Sequence, residues 1–63
     1  MENNINLVKA SIVMAAVEDS TSVDRHLLID NSEFVILFKT LLNDNQDMQT
    51  ITTQLKEFVT NNY

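Results

Sequence analysis

LLIDNSEFVILFKTLL, residues Leu27 to Leu42, decides how the rest of the chain is read: ten of its sixteen residues are apolar and only Asp30, Glu33 and Lys39 carry charge. Wound as a helix with ~100° between successive side chains, the segment gathers Val23, Leu27, Phe34, Leu37, Phe38 and Leu41 on one side. Leu28, Val35 and Leu42, spaced by sevens, form a second stripe, and Ile29 and Ile36 fall on a third. A helix apolar on several sides belongs in the middle of a core or in an interface. The competing reading is a hairpin, because HLLI and EFVILF are short runs rich in β-branched and aromatic residues. Helix is preferred: LFKTLL carries helical spacing past any strand end, and no Gly supplies the positive φ that tight hairpin turns favour.

Outward from this stretch, the chain contains neither Gly nor Pro, so its breaks fall to Asn, Asp, Ser and Thr at 18 to 24, 30 to 32, 43 to 47 and 60 to 62. The expected fold is all-α, a small three- to four-helix bundle in one domain, with helices near 4–18, 22–30, 32–43 and 46–60. Asn3 or Asn4 can cap the first helix, which carries Ile5, Val8, Ile12, Ala15 and Ala16 on one face and Leu7, Ala10, Met14 and Val17 on another. Thr21 with Asp24 fits a capping box for the second helix, with Ser20 or Ser22 as alternative caps. Asn31 or Ser32 either opens a third helix or lies inside one continuous rod from 22 to 43. After NDNQD, with Asp44 and Asp47 as caps, the last helix places Met48, Ile51, Leu55, Phe58 and Val59 on one stripe and reads as an outer wall. The tail from Thr60 to Tyr63 is expected to fray.

Sixty-three residues lie near the size at which one core just offsets the conformational entropy of folding. With no Cys there is neither a disulfide nor a thiolate metal site to assist. Two helices that are apolar on more than one face therefore point to completion of the bundle by homo-oligomerisation, most simply as a dimer. The expected interface is Leu7, Met14, Leu28, Val35 and Leu42.

Nine acidic residues against four Lys plus Arg give a formal charge of −5. That balance disfavours direct binding to nucleic acid or to an anionic membrane and favours a basic protein partner. No apolar run is long enough to span a bilayer. Ile5 to Val17 resembles the apolar part of a signal peptide, but Lys9 interrupts it and MENN is acidic at the start. A cytoplasmic, unprocessed chain is expected.

Little here suggests chemistry. Asn43, Asn45 and Asp47 alternate as in a calcium loop, yet the turn glycine is missing and the closing position holds Gln54 in place of Glu. His26 is the only histidine. A single imidazole without Cys, nucleophile elbow or Gly-rich loop supports neither catalysis nor a metal site. No enzyme activity, cofactor or metal is expected. Lys9, on an otherwise apolar surface, can lay its stem over that surface and reach water, or bind an anion.

The leading functional expectation is a small acidic homo-oligomer that binds another protein, as an inhibitor, adaptor or assembly factor. A second is an oligomeric sponge that holds a small anionic ligand or nucleotide on Lys9, Arg25 and Lys39. Abundant Asn, more Lys than Arg and small size would suit a phage or mobile-element protein of that kind. A third is a nucleic-acid mimic, which needs Glu18, Asp19, Asp24, Asp30, Glu33, Asp44 and Asp47 on one surface.

Overall fold

Four helices account for most of the computed structural model, which describes residues 7–63: α1 (Leu7–Thr21), α2 (Arg25–Ile29), α3 (Ser32–Asn43) and α4 (Met48–Asn62). The described residues contain no strand. The expected caps at Asn3 and Asn4 and the side chain of Ile5 lie outside the described residues. Each of the other three helices opens on an acid or amide accepting a backbone N–H that the first turn leaves unpaired. Asp24 Oδ1 accepts from His26 N at 2.8 Å, Asn31 Oδ1 from Phe34 N at 3.1 Å, and Asp47 Oδ1 from Thr50 N at 2.8 Å. The segment from 22 to 43 is therefore two helices, because Asn31 has extended backbone angles and starts α3 afresh.

Two expectations about helix ends are corrected. Thr21 does not open α2; it closes α1, which runs three residues past Glu18, with its hydroxyl donating to Val17 O at 2.7 Å. The C-terminal tail does not fray: α4 continues to Asn62, Tyr63 N donates to Val59 O at 2.9 Å, and the Tyr63 hydroxyl accepts from Asn31 Nδ2 at 3.1 Å.

The core joins Val13, Met14 and Val17 of α1, Leu28 of α2, Phe34 and Leu41 of α3, and Ile51, Leu55 and Val59 of α4. Phe34 sits at its centre, edge-on to Phe38 with ring centroids 5.9 Å apart and tilted against Phe58 at 6.1 Å, arrangements that add to plain apolar burial. No polar side chain among the described residues is buried. Both α1 and α3 pack against α4, and α2 packs against α3. The last helix buries Ile51, Leu55 and Val59 and leaves Gln49, Gln54, Lys56 and Glu57 exposed, the one-sided wall its pattern implied, while α3, expected at the centre, keeps Ile36 64% exposed.

Candidate interaction surfaces

Every helix keeps a solvent side, and an apolar residue on that side stays wet. On α1 the inward arc is Val13, Met14 and Val17, while Leu7, Val8 and Ile12 remain outside, 75%, 71% and 51% exposed.

This placement separates the five residues expected to form an interface. Leu28 is fully buried and Met14 nearly so; both belong to the chain's own core and are withdrawn from any surface. Val35 and Leu42 are half-buried, Leu42 against the core. Leu7 alone of the five is widely exposed. The stripe of sevens assumed an unbroken rod, and the α2–α3 break dissolves it.

Two other surfaces take its place. The first is an open depression of about 560 Å³ between the start of α1 and the start of α4, lined by Val8, Lys9, Ile12, Asp47 and Met48. Lys9 lies half-buried along it, and its ammonium donates to the backbone carbonyl of Gln46, tying α1 to the α3–α4 loop. Asp47 caps α4 beside it, and the hydroxyl and backbone N–H of Thr50, with a further contribution from Lys9, hold its carboxyl below the usual range. Met48, expected on the buried stripe of α4, occupies the helix's first position and is 42% exposed.

The second surface is the elbow between α2 and α3. Leu27 and Ile29 of α2 are exposed here, Ile36 is exposed one turn into α3, and Asp24, Asp30 and Glu33 are their neighbours in sequence. Tyr63, itself 52% exposed, reaches this elbow from the end of α4, its hydroxyl 3.4 Å from the carbonyl of Leu27. Ile29 and Ile36 were legible in the sequence as a third apolar side, whereas Leu27 was grouped with the core side and Tyr63 with the tail, because periodicity does not say which face a small core leaves uncovered.

The charged candidates disperse. Arg25 is engaged with Glu18: its Nη2 and Nε donate to Oε1 at 2.8 and 3.1 Å, and its backbone N donates to Oε2 at 2.8 Å. These bonds lower the Glu18 pKa and raise that of Arg25. Because Glu18 stands nine residues beyond Lys9 on α1, roughly 13 Å along the axis, Arg25 and Lys9 occupy opposite ends of that helix. Lys39 is exposed on α3. The chain therefore supplies no single basic pocket from Lys9, Arg25 and Lys39. Of the seven carboxylates a nucleic-acid mimic would present, Glu18 is bound to Arg25, and Asp24 and Asp47 are caps. The backbone N–H and imidazole of His26 hold the Asp24 carboxyl below its usual range. His26 itself is a surface side chain, with Nδ1 2.9 Å from Asp24 Oδ1. Among the described residues, no cluster of His, Asp and Glu could hold a metal ion, and no helix is long and apolar enough to cross a membrane. Compared with known proteins, the chain matches no family model, no curated protein and no solved structure.

Proposed function

We propose that this protein acts by binding another protein, as an inhibitor, adaptor or assembly factor, and that it does so as a homo-oligomer that completes a small helical bundle. The observation that carries the reading is the elbow between α2 and α3, where Leu27, Ile29 and Tyr63 are exposed, with Ile36 exposed one turn into α3 and Asp24, Asp30 and Glu33 near them in sequence. Exposed aliphatic and aromatic groups supply the apolar centre that protein interfaces use. Carboxylates around them select a partner with a basic rim, as does the net charge of −5. An apolar, basic face such as that of an amphipathic helix meets both demands.

The test is affinity capture from the native host with wild type, Ile36→Asp and Lys56→Ala in parallel, followed by direct titration of the captured protein. The expected result is a basic partner held by wild type and by the Lys56 variant, on the polar side of α4, and lost with Ile36→Asp. A partner retained equally by all three would remove the elbow from the reading.

A further inference from the structure

Three residues, Ser22, Val23 and Asp24, join α1 to α2, and the first of them has φ of 60°. That left-handed angle makes the turn, and a serine adopts it at a steric cost that a glycine would not bear. The Glu18–Arg25 pair spans the turn and favours its present form, but the pair stands open to solvent, where ion pairs contribute little. A short connection under strain is the condition in which one element exchanges between two copies of a chain.

The first helix is suited to that exchange. It enters the core through Val13, Met14 and Val17, packs chiefly on α4, and is joined to the other helices through this turn alone. Every contact it makes within its own chain is offered identically by a second copy, the Lys9 bond to the Gln46 carbonyl included. Exchange therefore preserves the α1–α4 packing and requires no further docking face. Closure of α1 on its own chain competes with an effective concentration on the order of millimolar. Releasing one left-handed residue shifts an equilibrium by about fivefold, and a swapped pair releases two, so exchange is favoured from roughly tens of micromolar.

Resting on the homo-oligomer reading above, we propose that two copies of the chain exchange α1, each first helix packing on its partner's α4, with Ser22 as the hinge that opens to an extended angle. The experiment is sedimentation velocity of the full chain from micromolar to millimolar concentration, with circular dichroism of each variant as a check on helix content. Wild type is expected to approach twice 7.2 kDa. Ser22→Gly relieves the closed turn and is expected to weaken dimerisation by roughly twenty-five-fold, fivefold for each hinge. Ser22→Val, whose branched side chain tolerates a positive φ least, is expected to strengthen it. Where the exchange occurs is read by NMR on labelled and unlabelled chains refolded together: contacts between the methyl groups of Val13 or Val17 and those of Ile51 or Leu55 are expected between chains. A dimer that keeps these contacts within each chain, or that Ser22→Gly leaves unweakened, would overturn the exchange while the homo-oligomer reading stands on another surface. A wild type monomeric up to millimolar concentration would overturn both.

Discussion

Ser22 and Asn45 each have φ of 60°, the left-handed region, in a chain with no glycine. Asn45 follows the C-cap of α3 and carries a reciprocal closure: its N–H donates to Leu42 O at 3.2 Å and that of Gln46 to Leu41 O at 3.4 Å, the pair of bonds that ends many helices on a left-handed residue. Asn tolerates this conformation through its short amide, whereas Ser bears the steric cost of its Cβ more fully. Ser22→Gly is therefore expected to stabilise the fold by about 1 kcal/mol and Asn45→Gly by less, since glycine removes the clash but adds unfolded-state freedom. In a domain of this size 1 kcal/mol moves Tm by about 4–8 °C, so thermal melts of the two variants decide it. Acid sensitivity belongs to the same scale. Folding lowers the carboxyl pKa of Glu18 from 4.5 and of Asp24 and Asp47 from 3.8. Between the folded and unfolded values the unfolded chain binds more protons, so stability rises with pH across that interval. It is complete above about 4.5 and is lost as pH falls through the lowered folded values. Melts from pH 7 down to 2 should show a Tm flat above that point and falling below it, and Glu18→Gln with Asp24→Asn should shallow the fall.

At the scale of elements, the five-residue α2 shows what the sequence made legible and what it hid. Polar punctuation located the breaks but not always the cap: of Asn31 or Ser32 for α3 and Asp44 with Asp47 for α4, Asn31 and Asp47 open the helices, while α2 opens on Asp24 and not on Thr21, Ser20 or Ser22. Orientation was less accessible, because Leu27, Leu28 and Ile29 are consecutive apolar residues of which the fold buries only Leu28. Which of three neighbours turns inward depends on the angle at which the chain re-enters α3, and no periodicity within one and a half turns records that angle. The same lack of a dominant face in α1 left its inner and outer arcs interchangeable on paper. The placement makes a sharp contrast between neighbours. Leu28→Ala removes a fully buried side chain and should cost about 2–5 kcal/mol, enough to unfold most of so small a domain. Leu27→Ala, at a residue 56% exposed, should change stability by no more than about 0.5 kcal/mol. Chemical denaturation of both separates a core role for Leu28 from the interface role its position in the heptad stripe suggested, since an interface residue would leave the monomer's stability intact and change only its association.

On the scale of the whole molecule, net charge and apolar contact pull in opposite directions on self-association, and ionic strength tells them apart. The chain is 34 Å long and carries −5. At 0.01 M salt the Debye length of about 30 Å spans nearly that whole length, so two copies repel through all their excess charge. At 0.15 M the Debye length is about 8 Å. Distant repulsion is then screened, and apolar contact between copies is not weakened by salt at all. Self-association of the chain should accordingly tighten between 0.01 and 0.15 M. Binding of a basic partner at the elbow should loosen over the same interval, because there the long-range term is attractive and screening removes it. Measuring both equilibria across the salt series tests the two parts of the proposed function together: a self-association that loosens in parallel with partner binding would mean that attraction between charges, and not apolar contact, holds the copies together.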